Sequence, residues 1–436
     1  MFVGLIALVA ALASPRVAAY GTGFTNQKVL SGFYPSYSLA PADVNYAPYT
    51  HLNYFVFTTT PSAAAVSQAG IDDSTIVDFV SRAKAAGVTA GFTVGGWTGS
   101  QYFSSNVATA QNRTMFAKTL LAVVTRYGFD GGISIDWEYP GVQGQGDNIV
   151  SPNDASNFLL FLQTLRNLAG PDVRLQIDVP MTGIVGSNGA PLSDMSGFAA
   201  VLDYVNIMTY DVTGPWSGFT GPNSPLYSTC QPPGNKISIA DAVTTYVKAG
   251  FQQNHITIGS PFYSYSFYVK APLVSTTCSD GSKSTLTQFP STGSTCGNYL
   301  GSGPQYKYNE LVDKGWFKSQ SGFRRIRDAT SQTVVLYNPQ TSVFIPTEDP
   351  VTVWAKARYA FQRRLAGVTV FDISGDDSDG TLATGIRNGL NLNKGVAPPT
   401  VAASRLKRHL AQQQQSRRRT TTTTTSSLEL SPRSSS

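Results

Sequence analysis

Cysteine, charge and long hydrophobic runs are all scarce in this chain. Three cysteines in 436 residues, Cys230, Cys278 and Cys296, cannot staple a small disulfide scaffold, and their spacing matches no metal site. A Cys278–Cys296 bridge would close one Ser/Thr/Gly-rich stretch and leave Cys230 free, but spacing alone leaves the pairing open. Charged residues make up only 13% of the chain, and the formal charge of +6 is not evenly spread. From residue 396 onward, Arg405, Lys407, Arg408, Arg417, Arg418, Arg419 and Arg433 outweigh Glu429 by the same +6, so the body is neutral. A neutral body has no basic stripe for a polyanion, which argues against a nucleic-acid partner despite a pI near 9.0. The one long apolar run, residues 2–13, is too short to span a bilayer and precedes Val17-Ala18-Ala19, a small-residue cleavage signal. It predicts a signal peptide over residues 1–19, a secreted protein found outside the cell or in the cell wall, and no membrane association elsewhere. The sequon Asn112-Arg113-Thr114 agrees weakly with secretion and a glycoprotein.

What is abundant describes an ordered body. Hydrophobic residues reach 41%, with 40 Gly, 21 Tyr and 23 Phe. Eight β-rich runs, at 28–34, 51–57, 88–94, 130–137, 174–180, 203–209, 255–259 and 367–371, alternate with helical patterns. Ile76, Phe79, Val80 and Ala83 closing at Gly87, and Phe158, Leu162 and Leu165 closing at Gly170, have helical spacing and a terminal glycine. The pattern predicts a closed (β/α)8 TIM barrel. The stretch 264–350 before the last strand is too long for a loop and predicts a small α+β insertion beside the active face. The catalytic domain then spans 20–395. Residues 396–436, with runs of Gln at 412–415 and Thr at 420–425, cannot bury a core and predict a disordered tail, with Lys407-Arg408 as a candidate processing site and a solvated tail without a role as the alternative.

Chemistry concentrates in Phe129-Asp130-Gly131-Gly132-Ile133-Ser134-Ile135-Asp136-Trp137-Glu138-Tyr139-Pro140. In a strand, Gly132, Ser134, Asp136 and Glu138 share one face, while Ile133, Ile135 and Trp137 share the other. Two carboxylates then project into the barrel at its C-terminal end, with no Lys or Arg alternating to neutralise them. Two such groups do not both ionise cheaply, so one holds a proton near neutral pH, as a general acid must. Glu138, nearer the strand end, is the donor, and Asp136 lies one inward position deeper.

This run resembles the signature of family 18 glycoside hydrolases, Asp-x-x-Asp-x-Asp-x-Glu on the fourth barrel strand. Thr93-Val94-Gly95-Gly96-Trp97 resembles that family's strand-three Ser-x-Gly-Gly-Trp, and Met208-Thr209-Tyr210-Asp211 its strand-six Met-x-Tyr-Asp. Gly32-Phe33-Tyr34, Thr50-His51-Leu52-Asn53-Tyr54 and Gly259-Ser260-Pro261-Phe262-Tyr263 fall where strands one, two and seven belong. The resemblance covers residues 27–390. It implies substrate-assisted hydrolysis of chitin and chitooligosaccharides by a monomer without cofactor or metal. Glu138 would protonate the leaving oxygen, Asp136 would hold the acetamido N–H, Tyr210 its carbonyl, and Asp211 would contact the sugar. Met208, Tyr34, Trp97, Tyr139, Trp216 and Phe371 are candidates for contacting the sugar rings, most of them as aromatic platforms.

The sequence departs from that signature at three positions. The two outer aspartates fall on Gly131 and Ser134, with Asp130 a possible substitute through a bulge and Ser134 expected to bond Asp136. Phe371 stands where the family has a strand-eight Trp. A shifted pH optimum is expected. An endo-β-N-acetylglucosaminidase acting on N-glycans and a silent chitin-binding lectin are the competing readings. The retained Glu138 argues against the lectin.

Overall fold

The computed structural model describes residues 28–228, 237–269, 276–277, 283–284 and 299–392. The segment expected to be a signal peptide, all three cysteines and the C-terminal stretch expected to be a tail lie outside these residues. In chain order come strands β1 (Val29–Pro35), β2 (His51–Thr59), β3 (Thr89–Gly95), β4 (Gly132–Asp136), β5 (Leu175–Pro180), β6 (Tyr204–Met208) and β7 (Ile256–Pro261). Helices α1 (Asp73–Ala85), α2 (Phe103–Val107), α3 (Ala110–Tyr127), α4 (Asp154–Ala169), α5 (Ser196–Ala199) and α6 (Ile239–Lys248) separate them from β2 onward. Five more strands follow, β8 (Tyr263–Val269), β9 (Tyr299–Lys307), β10 (Arg324–Asp328), β11 (Thr333–Asn338) and β12 (Val343–Thr347), with helix α7 (Tyr308–Asp313) among them. Then α8 (Pro350–Gln362), β13 (Gly367–Phe371) and α9 (Thr381–Gly389) complete the chain. Strands β1 to β7 and β13 pair in parallel, and β1 bonds both β2 and β13, so the sheet closes on itself. This is the expected (β/α)8 barrel, with strand ends within a few residues of their sequence-based limits.

Local sequence explains the elements. Helix α1 buries Ile76, Phe79, Val80 and Ala83 on one face. Helix α3 starts where the Thr109 hydroxyl accepts from Asn112 N and stops at Gly128, φ 69°. Asp349 caps α8 by accepting from Val351 N and Thr352 N, both at 2.9 Å, ahead of Pro350 in the first turn. In β4 the alternation holds. Trp137, just past the strand, points outward and stacks on Phe103 of α2 (5.2 Å between centroids) and, edge-on, against Phe158 of α4 (5.3 Å). That leaves Ser134 and Asp136 inside the barrel.

The insertion is an antiparallel sheet in the order β9-β8-β12-β11-β10. Phe267, Val269, Val335, Tyr337 and Phe344 form a core on one face. Leu336 and Ile345 pack against Leu311 of α7 on the other. Strand β8 begins two residues after β7 ends, so the sheet grows directly from the barrel's C-terminal rim and carries Tyr263 and Tyr265 to the cleft.

Candidate active site

The backbone at the end of β4 is fixed before any side chain acts. The carbonyl of Asp136 accepts from Gly96 N at 2.8 Å. A Cβ on Gly95, whose φ is 115°, would lie 2.0 Å from that same carbonyl oxygen, and one on Gly96, φ 76°, would strike Phe55. Only glycine allows this approach of β3 to β4. The Ser100 hydroxyl lies 2.8 Å from Gly96 O and accepts from Glu138 N at 3.0 Å, while Asn148 Nδ2 donates to Glu138 O at 2.8 Å. Glu138 is thus clamped on both sides of its own peptide unit. The Tyr139 hydroxyl lies close enough to its carboxylate to favour the ionised form.

Asp136 is buried, and its Oδ1 has no hydrogen-bond partner. Burial first, then the charges of Glu138 and Asp178, push its pKa well above the ordinary carboxylate range. Burial raises Glu138 to about 7; the Tyr139 hydroxyl works against this, and Asp211 and Asp178 add to it. Among the described residues, no ion pair involves Asp136, Glu138 or Asp178. A proton held near neutral pH takes the place of a counter-cation.

These carboxyls open onto a cleft of about 970 Å³. Tyr210 lies against it, its ring stacked 5.9 Å from Phe371 at 29°. Phe371 also packs edge-on against Phe33 and Phe55, so it forms a firm floor. Asp211 takes φ 60°, with its N–H on Asn223 Oδ1 (2.8 Å) and its carboxylate accepting from Tyr263 (2.5 Å) and Tyr265 (2.9 Å). Trp97 and Trp216 stand exposed at the rim, 51% and 63% accessible, as rings awaiting an apolar face would. Met208 and Tyr139 line the wall.

Nine of the ten sequence-derived site residues therefore border one cleft. Tyr34 does not. It is fully buried, stacked on Phe79 of α1 at 4.5 Å, and its hydroxyl donates to Leu39 O, because it follows the outward phase of β1. The exposed aromatic of this region is Tyr37, three residues on, in the loop after the strand.

Two further expectations need correction. Asp130 does not replace the missing outer aspartate, since it accepts from Ala90 N at 2.8 Å at the foot of the barrel. No side chain fits at Gly131, where a Cβ would lie 2.5 Å from both Gly91 N and His51 Cε1. Ser134 bonds not Asp136 but Asp178 Oδ2, at 2.5 Å, and accepts from Gln176 Nε2. Asp178, Asn206, Ser100 and Asn148 are thus functional neighbours that motif reading passed over. Only the inward phase of Asp178 was detectable, since Gln176 and Asp178 alternate with apolar residues as Ser134 and Asp136 do; its contact with Ser134 was not.

The model of Glycosyl hydrolases family 18 matches residues 16–376. A chitinase-like effector of Moniliophthora roreri is 32% identical over 83% of this chain and 92% of its own. A chitinase-like effector of Moniliophthora perniciosa is 31% identical over 85% and 89%. A Rhizomucor miehei chitinase structure superposes with TM-score 0.71 at 26% identity, over 83% of this chain and 100% of its own. The Group IV chitinase of Ostrinia furnacalis, solved with allosamidin, shares the fold at TM-score 0.70 and 22% identity, over 85% of this chain and 100% of its own. The chain belongs to glycosyl hydrolase family 18.

Proposed function

We propose that this protein is a secreted chitinase that hydrolyses β-1,4 bonds between N-acetylglucosamine units with retention, using the substrate's own acetamido group. The observation that carries the reading is a clamped Glu138 holding its proton to about pH 7 beneath an aromatic cleft. Glu138 gives that proton to the glycosidic oxygen as the bond to C1 breaks. The acetamido carbonyl oxygen then bonds C1, forming an oxazolinium ion. Asp136 supports the N–H and its growing charge, and Tyr210 holds the carbonyl. Water adds to C1 and returns a proton to Glu138. No protein nucleophile is required.

The groove walls support a polymeric substrate: Trp97 and Trp216 stand at the rim, and the inserted sheet supplies Tyr263 and Tyr265. Export is proposed from the N-terminal sequence alone. The test is product analysis from chitohexaose beside a high-mannose glycopeptide, with Glu138→Gln as control. Chito-oligomer products lost in the variant support a chitinase; glycopeptide cleavage alone would make it an endo-N-acetylglucosaminidase. The relatives named chitinase-like effectors keep binding without turnover in view. Tight oligomer binding with no hydrolysis by the wild type would establish it.

A further inference from the structure

Below the site, a chain of hydrogen bonds crosses five adjacent barrel strands and ends on one carboxylate. Thr369 Oγ1 of β13 donates to Thr257 Oγ1 of β7 at 3.1 Å, and Thr257 to Asn206 Oδ1 of β6 at 3.1 Å. Asn206 Nδ2 in turn donates to Asp178 Oδ1 of β5 at 2.8 Å. From the other side Ser134 Oγ donates to Asp178 Oδ2 at 2.5 Å, and Gln176 Nε2 reaches Asp178 Oδ1 at 3.1 Å. Every member is buried. Asp178 therefore receives three donors and has none of its own to offer, which is the environment of a carboxylate anion.

Its height in the barrel matters. Ser134 pairs with Gln176 and Ile135 with Ile177, so one step further up the ladder Asp178 is level with Asp136. Asp136 has a buried oxygen with no partner, whereas Asp178 has a full set. The titratable groups that face Asp178 are Asp136 and Glu138 from β4 and Tyr210 from the end of β6.

We propose that Asp178 is a positioning residue that supplies a fixed negative charge on the neighbouring strand, level with Asp136, and so holds a proton on the Asp136–Glu138 pair. The inference rests on Glu138 acting as the acid. Burial and the three donors leave Asp178 itself at about 6, below Glu138 at about 7, so Asp178 ionises first while Glu138 still keeps its proton. A like charge nearby makes proton release costlier, which extends acid catalysis toward higher pH.

The test is Asp178→Asn, which keeps the shape and removes the charge. The alkaline limb of kcat/KM on chitohexaose should move down by about one pH unit. Activity should fall roughly tenfold at pH 8 and less than twofold at pH 5. The double variant Ser134→Asp with Asp178→Asn returns a carboxylate to the same spot from the neighbouring strand and should restore the limb. A merely structural role would lower activity equally at both pH values and lower Tm, and that result, or an unmoved limb, overturns the proposal. If Asp178→Asn does not fold, Ser134→Ala removes one donor and should move the limb the same way by less; no movement overturns it. Carboxyl 13C titration of Glu138 gives a readout independent of turnover. A lower midpoint in Asp178→Asn sustains the proposal even if the wild type proves a binder, and an unchanged midpoint refutes it.

Discussion

Two sets of buried acids in one barrel are treated in opposite ways. Asp203, at the foot of β6, meets Arg166 of α4 at 2.6 Å, with both side chains 2% exposed. Glu348, at the end of β12, is paired with Lys356 of α8, equally buried. Asp136 and Asp178 are as enclosed, with Glu138 half-buried beside them, but among the described residues none of the three meets a cation. Where a carboxylate serves architecture, the chain provides a base and the remaining lone pairs are filled; Asp203 also accepts from Leu175 N. Where it serves chemistry, neutralisation is left to a proton, which can leave.

The contrast is sharpest in Glu138→Gln, which should lower hydrolysis of chitohexaose by about a thousandfold while the folded state survives. Loss of both rate and fold would place Glu138 with the architectural acids. The opposite result is expected from Asp203→Ala. It strands a buried guanidinium and should cost roughly 3–5 kcal/mol in urea unfolding, with kcat per folded molecule unchanged.

Stability against pH separates the two sets further. Unfolded, Glu138 loses its proton near 4.5; folded, it does so near 7. Between those values the folded protein holds more protons. Wild-type stability should therefore decline relative to Glu138→Gln as pH rises from about 4.5 and level off above 7, by roughly 3 kcal/mol at most. Matched Tm series at pH 4 and pH 8 would read the gap, and parallel curves would contradict it. The smallest effect lies at the rim. Trp216→Ala should raise KM for long oligomers severalfold, about 1 kcal/mol, with kcat kept.

Much of this was legible in sequence because its signals are periodic. The eight strands and the inward phase of Ser134, Asp136 and Glu138 follow from alternation, and the glycines and aromatics at strand ends from short motifs. Tyr34 misled because a motif carries position but not phase: the core aromatic Tyr34 of β1 and the cleft aromatic Tyr37 of the following loop lie only three residues apart. Asp178 was missed because its role depends on register between strands, a relation no linear spacing records. Ser134 was expected to bond Asp136, whereas its hydroxyl ties the acid cluster to Asp178 on the neighbouring strand. The aromatic floor at Phe371 was placed from the motif, but its support by Phe33 and Phe55 comes from three strands distant in sequence.

The close contact of β3 and β4 at Gly95 and Gly96 sets the terms for redesign. Libraries that vary Trp97, Trp216 or Tyr37 alter side chains more than half exposed at the rim, and each choice can be judged largely by the ligand. A single methyl at position 95 would displace the Asp136 carbonyl and with it the peptide that aims the acid. Substrate range is therefore open to engineering at the rim, while the alignment of the proton donor is inherited whole with the backbone.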